Sequence, residues 1–127
     1  MHSEKVSEAL LASGQQLHGL QTWVALPQEH EETAPRFEHY AAESIPKVRR
    51  DGADITVVIG SAYGETSPVQ TASETLYVEV RLDANASLEL PAVEELAVYV
   101  IDGTSGLAAS RFHRACLRFW PTALRRR

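Results

Sequence analysis

The sequence predicts an all-β fold of antiparallel strands arranged as a sandwich or barrel. Its clearest strand is residues 76–82, where apolar and polar side chains alternate. Other short runs rich in Val, Ile and Thr end at Gly, Pro or Asn, which are typical turn residues. A chain of 127 residues with 44% apolar residues is long enough to bury a core as one ordinary domain.

The best-formed strand pattern in the first half is residues 18–27, which begins at Gly19 and ends at Pro27. Its side chains alternate, with Leu20, Thr22, Val24 and Leu26 on one face and Gln21, Trp23 and Ala25 on the other. We expect a buried strand anchored by Trp23. The preceding residues 5–12 predict either a helical turn or a loop, ended by Gly14.

The middle of the chain predicts connections between strands. Residues 28–34 are polar and acidic and predict a solvated loop, after which residues 37–40 extend briefly. Residues 43–47 predict a linker, because Ile45 precedes a proline and is therefore disfavoured in a helix. Residues 47–52 predict a basic turn.

The second half is rich in strand patterns. Residues 55–59 predict a strand that ends at Gly60, followed by a loop of small residues over 61–73. In the strand 76–82 we expect Leu76, Val78, Val80 and Leu82 to point inward. Two further strands are predicted, a short one at 87–90 and another at 96–101.

The last 24 residues differ in charge from the rest. Residues 1–103 hold all 17 acidic residues and 6 of the 12 basic ones, a formal charge of −11, whereas residues 104–127 hold six Arg and no acid. One interpretation is a cationic amphipathic helix from about Ser110 to Trp120; the other is an out-of-frame tail. Either would attract phosphates without specificity. The predicted helix would place Phe112, Ala115, Cys116 and Phe119 opposite Arg111, Arg114 and Arg118.

Cysteine content and hydropathy predict a soluble cytoplasmic protein. Cys116 is the single cysteine and cannot form an intrachain disulfide, which suits a reducing compartment. Neither a membrane-spanning apolar run nor a secretory signal pattern is present in the sequence.

Several short runs, taken in order, resemble one protein family. The chain is similar over residues 2–103 to the pirin family, a branch of the cupin superfamily, and the resemblance depends on the order and spacing of the runs. The runs are His2-Ser-Glu4, residues 18–27, Pro35-Arg36-Phe37, Ile45-Pro46, Asp51-Gly52, Thr75-Leu76-Tyr77 and residues 99–103.

The resemblance implies two cupin barrels, the first of which holds a metal, usually iron, through three histidines and one glutamate. Two of these ligands correspond to His2 and Glu4, and residues at i and i+2 of a strand point to the same face. Such a mixed ligand set suits non-haem iron, and also zinc, manganese or copper. The other two histidines would lie before Met1. We therefore expect a truncated member with incomplete barrels.

The resemblance also implies domain boundaries: residues 1–45 would close the first cupin domain, 46–103 would open the second, and 104–127 would form a divergent basic tail. The family activity is of the quercetin 2,3-dioxygenase type, with Glu4 as a catalytic base and a flavonol-like substrate. Activity is doubtful with two ligands. The alternatives are a metal-sensing partner of transcription factors, or a non-catalytic remnant that associates with copies of itself through open sheet edges.

Other residues with metal-binding or catalytic chemistry have simpler explanations. The histidines His18, His30, His39 and His113 are expected at the surface or in caps, and the acidic run Glu29, Glu31 and Glu32 in a solvated loop. Cys116 has no neighbouring His-Asp pair that would support nucleophilic catalysis. Trp23, Tyr77 and Tyr99 are expected in or around the core.

Overall fold

A computed structural model describes residue 6 and residues 8–14, 19–107, 110–113 and 117–121, with side chains described as far as residue 104. The described chain consists of antiparallel strands in open sheets with very little helix, which confirms the predicted all-β class. The elements in chain order are helix α1 Glu8–Ser13, a 3-10 turn at Gln28–His30, and strands β1 Lys47–Arg50, β2 Ala53–Ile59, β3 Ser61–Ala62, β4 Glu65–Thr66, β5 Tyr77–Leu82, β6 Glu95–Tyr99, β7 Thr104–Leu107, β8 Ser110–His113 and β9 Leu117–Pro121.

The chain divides into two compact units, residues 1–86 and residues 87–127. The first contains a three-stranded antiparallel sheet in the order β1-β2-β5 and the small hairpin β3-β4. The second contains two strand pairs, β6 with β9 and β7 with β8. The boundaries implied by the family resemblance remain predictions.

The hairpin between β1 and β2 is closed by Asp51 and Gly52. Both residues have positive φ, 53° and 73°, as a two-residue turn between twisted strands requires. Arg50 pairs with Ala53 across this turn. The predicted basic turn over 47–52 was therefore wrong for its first four residues, which form β1 because β2 offers them a partner strand.

The core of the first unit lies on one face of β2. Ala53, Ile55 and Val57 are almost completely buried, Ile55 at 1% exposure. Ile55 is paired with Val80 and Val57 with Val78, so the apolar side chains of β2 and β5 lie on the same face. The predicted strands at 55–59 and 76–82 are both confirmed.

The inward pattern predicted for β5 holds only in part. Val78 and Val80 are half-buried, whereas Leu82 keeps 46% of its surface exposed. Leu82 is opposite Ala53, whose small side chain covers little of it. The end of β5 therefore leaves an apolar side chain in contact with solvent.

The predicted buried strand at residues 18–27 was wrong for the residues that the structure describes. Residues 19–27 are irregular, and Trp23 has 77% of its surface exposed instead of anchoring a core. An apolar alternation becomes a strand only when another strand pairs with its backbone. The described residues 19–27 belong to none of the hydrogen-bonded sheets.

Of the two alternatives for residues 5–12, a helical turn or a loop, the structure has a helix, α1, which ends before Gly14. Gly14 has a φ of 66°, a conformation common just after a helix. The hydroxyl of Ser13 donates to the carbonyl of Leu10 at 3.1 Å in the last turn. All described residues of α1 are exposed, so the helix contributes no core.

A helix from about Ser110 to Trp120, one of the two alternatives for the carboxy-terminal residues, does not form in the part that the structure describes. The described residues there form strands: β8 pairs with β7, and β9 pairs with β6 so that Trp120 is opposite Leu96. Strand pairing satisfies the backbone of both partners, which outweighs a weak helical periodicity. The predicted strand at 96–101 is confirmed as β6, whereas residues 87–90 form none.

In the described part of the chain, helices are too short and too polar to cross a lipid bilayer.

Candidate functional site

The two residues predicted to bind a metal, His2 and Glu4, lie outside the described residues, and the prediction about them stays a prediction. Within the part of the chain that the structure describes, no three residues among the His, Cys, Asp and Glu side chains form a group able to hold a metal ion. The described residues therefore do not form a metal site on their own. A metal site in this protein would need His2, Glu4 or other ligands that the structure does not describe.

The other candidate ligands are scattered. His30 ends the 3-10 turn and is half-buried, while His39 is exposed on an irregular segment. Glu29, Glu31 and Glu32 are exposed, which agrees with the solvated loop that the sequence predicts. The side chains of His18, His113 and Cys116 are outside the described set.

His30 and Glu32 repeat the His-x-Glu spacing of His2 and Glu4 in a different setting. The structure places His30 at the end of a helical turn, not in a strand. Residues at i and i+2 share a face in a strand but point in different directions in a helix. This second pair lacks the geometry that the same spacing would have in a strand.

A polar cluster made of Arg36, Glu38 and Tyr40 is the most connected group of functional side chains in this part of the molecule. The Tyr40 hydroxyl donates to Glu38 Oε2 at 2.6 Å, and Arg36 Nε lies 3.4 Å from Glu38 Oε1. Each oxygen of the Glu38 carboxylate therefore contacts one donor group. We call these three residues the Tyr40 cluster.

The Tyr40 cluster forms because its residues alternate in an extended segment after Pro35. Side chains at i, i+2 and i+4 of an extended chain lie on one side, so Arg36, Glu38 and Tyr40 meet while Phe37 and His39 point away. This cluster was not predicted from the sequence. The i+2 spacing of a base, an acid and a phenol was the signal that could have revealed it.

The electrostatics of the cluster keep Tyr40 protonated. The hydrogen bond to Glu38 raises the pKa of Tyr40, and partial desolvation and the Glu38 charge act in the same direction. A backbone contact with Gln70 and the Arg36 charge act against them. Near neutral pH the phenol is therefore a hydrogen-bond donor and not a base or nucleophile. Its contact with Gln70 connects residues 36–40 to the loop after β4.

A second feature is an exposed apolar segment, residues 20–26, with Phe37. Trp23 is 77% exposed and Phe37 is 90% exposed. Large apolar side chains that are exposed in numbers commonly mark contact surfaces. Leu20, Val24 and Leu26 are also exposed. The expectation that Trp23 lies in the core was wrong, whereas Tyr77 is half-buried and Tyr99 is exposed, as expected of residues around a core.

Comparison with known proteins shows which sequences this chain is similar to. The chain is 38% identical to pirin of Mus musculus and 36% identical to pirin of Homo sapiens, each over 88 residues that make up 68% of this chain and 30% of the relative. It is 36% identical to a pirin-like protein of Caulobacter vibrioides over 104 residues, 80% of this chain and 36% of that protein.

The chain thus spans about a third of the length of these relatives. No family model matches the sequence. No solved structure matches it either.

The open antiparallel sheets and near absence of helix define an all-β protein of cupin-like architecture. The extent and level of identity to pirins then identify the family: the chain belongs to the pirin family.

Proposed function

We propose that this pirin-family protein binds a divalent metal, iron first among the candidates, through His2 and Glu4 together with ligands from a second chain. The observation that carries the proposal is the His-x-Glu pair in the sequence, which matches the pair that the family resemblance leads us to expect. Its imidazole and carboxylate donors suit non-haem iron. A metal needs about three or four protein ligands. His2 and Glu4 are too few on their own, so the proposal includes further ligands from a second chain.

A completed site would support the quercetin 2,3-dioxygenase type of activity that the sequence implies for the family. The metal would supply a Lewis acid with an open position. Glu4 would hold or release a proton beside it, and a flavonol-like molecule would be the substrate. Activity is then expected only under conditions in which chains associate.

The test is the metal content of the purified chain, beside a variant with His2→Ala and Glu4→Ala. Iron bound in a constant ratio in the parent and lost in the double variant supports the proposal, and oxygen consumption with a flavonol then tests the activity. The matched control is His30→Ala with Glu32→Ala, which removes the same residue types at the same spacing in the 3-10 turn region. Equal metal loss in both double variants, or none in either, contradicts the proposal.

A second candidate function is binding of a protein partner, and the exposed apolar segment favours it. Residues 20–26 retain the alternation of a strand in the sequence, and the structure leaves Trp23 77% exposed and Leu20 55% exposed. A partner that presents an extended segment with alternating apolar side chains would add a strand along residues 20–26 and cover these side chains. The partner would cover Trp23 in doing so.

The fluorescence of Trp23 can measure the binding of such a partner. The chain has two tryptophans, so a Trp120→Phe variant leaves Trp23 as the single emitter. A strand-forming peptide with alternating apolar residues is expected to shift the Trp23 emission to shorter wavelength. The same peptide with a central proline should give no shift, because proline cannot complete the backbone pairing. Equal shifts with both peptides would argue for non-specific apolar contact.

A further inference from the structure

The sheet β1-β2-β5 has two edges that differ in charge. β1 is one edge strand and β5 is the other. An edge strand presents backbone N–H and C=O groups that can pair with another chain. β1 carries three cationic residues and no acidic one, and Arg49 and Arg50 already pair with aspartates of their own chain, so two copies of β1 would offer each other no cross-strand charge attraction. β5 carries one acidic and one basic residue and has no such obstacle.

The register shows which backbone groups of β5 face outward. Asp83 N–H donates to the Gly52 carbonyl at 2.8 Å, just after the end of β5. Because backbone groups of an antiparallel strand alternate in direction, Arg81 and Glu79 hydrogen-bond toward β2. The N–H and C=O groups of Val78, Val80 and Leu82 therefore point away from β2. Among the described strands, none pairs with that side.

We propose that β5 is a dimerisation strand that pairs antiparallel with β5 of a second copy of this chain, about a two-fold axis at Val80. In this register Val80 faces Val80 of the second copy, and Val78 faces Leu82. These are the residues whose backbone groups have no partner among the described strands, so each facing pair exchanges N–H···O=C bonds. The two three-stranded sheets become one six-stranded sheet.

The same register also brings side chains of opposite charge face to face. Glu79 comes opposite Arg81 of the second copy, and Arg81 opposite Glu79, so two cross-strand ion pairs form by symmetry. They occupy the positions between hydrogen-bonded pairs, where facing side chains are closest. In one chain Arg81 Nε already lies 3.2 Å from Glu79 Oε1, with both side chains partly exposed and able to reorient. Leu82, 46% exposed in one chain, gains an apolar neighbour in Val78.

Pairing β5 with β5 also gives a closed assembly of two chains. If β5 bound the β1 edge of another copy, each chain would retain a free edge and the assembly would grow without limit. The two-fold β5 contact uses the same strand of both copies and leaves the charged β1 edges outside. We therefore expect a dimer and no larger species from this surface.

The test is sedimentation equilibrium of the full chain over a range of concentrations, with charge-reversal variants. Glu79→Arg and Arg81→Glu each replace two cross-strand attractions by two repulsions and should weaken the dimer at least about tenfold. The double variant with Glu79→Arg and Arg81→Glu restores opposite charges and should restore the dimer. Glu74→Arg makes the same charge change in an exposed loop and should leave association unchanged.

Circular dichroism of every variant checks that it is folded, and recovery in the double variant separates a lost contact from a lost fold. A parent chain that stays monomeric overturns the proposal. So does a dimer that both single reversals leave intact, or an assembly that grows without limit. The result is independent of metal binding, because the chain can be measured with a chelator present.

Discussion

The hydroxyl of Ser67 donates a hydrogen bond of 2.7 Å to the backbone carbonyl of Val58, at the point where β2 loses its regular pairing with β5. The register shifts between Val57 and Ile59, which leaves Val58 without an opposite residue on β5. Ser67 therefore supplies from its side chain a bond that the bulge removes from the ladder. Its hydroxyl also accepts the N–H of Val69 at 3.2 Å.

We expect Ser67→Ala to lower the free energy of unfolding by about 1–3 kcal/mol, because the change leaves a backbone donor and acceptor without this partner in a largely buried place. Ser67 is 8% exposed. Urea unfolding followed by circular dichroism measures the effect. The control is Ser61→Ala, whose hydroxyl bonds with Thr66 at the surface and should matter by less than about 0.5 kcal/mol. Equal losses in both variants would contradict the special role of Ser67.

We expect an alanine substitution to destabilise the chain more at Gly60 than at Gly64. Both have positive φ, 81° and 88°, so alanine is strained at either position by about 1 kcal/mol. A Cβ at Gly60 would also lie 2.5 Å from the Thr75 carbonyl oxygen, whereas one at Gly64 would meet nothing within 4 Å. Gly60→Ala should therefore lower the unfolding midpoint clearly more than Gly64→Ala. The reverse order in thermal unfolding would refute the packing argument.

We expect the folded chain to lose stability at high pH because of Tyr40. Its pKa is raised in the folded chain, mainly by the hydrogen bond to Glu38, so folding favours the protonated phenol. The contribution of this bond is complete below the unfolded pKa of about 10 and is lost as the pH rises through the higher folded value. Tyr40→Phe should remove that part of the alkaline loss of stability. Unfolding midpoints measured from neutral to alkaline pH test this, with Tyr99→Phe as the control at an exposed site.

Arg49 connects all three strands of the first sheet. Its guanidinium on β1 lies 2.8 Å from Asp54 Oδ1 on β2 and 2.5 Å from Asp83 Oδ2 just after β5, and both carboxylates raise its pKa. The side chains are more than half exposed, so Arg49→Ala should cause a small loss of stability that shrinks as salt is added. Arg50→Ala is the control, since Arg50 contacts its sequence neighbour Asp51. A loss independent of salt would point to packing instead of charge.

The amino-acid pattern was sufficient to predict β2 and β5. In both strands the local alternation agrees with the register that the sheet adopts, and turn residues such as Asp51 and Gly52 mark where the hairpin reverses. The Tyr40 cluster was not predicted, because its members bond to one another only after the segment is held extended beside Gln70. The proposed ligands His2 and Glu4 rest on the sequence and the family resemblance.

What the sequence determined by itself was the all-β class, the half-buried faces of β2 and β5, and the membership of the pirin family. Only the tertiary structure decided which patterns became strands. Residues 19–27 alternate well but remain irregular, whereas a helix from about Ser110 to Trp120 was one alternative and Leu117–Pro121 forms a strand with β6. The physical reason is that a strand satisfies its backbone through another strand. Its formation therefore depends on a partner that its own residues do not specify.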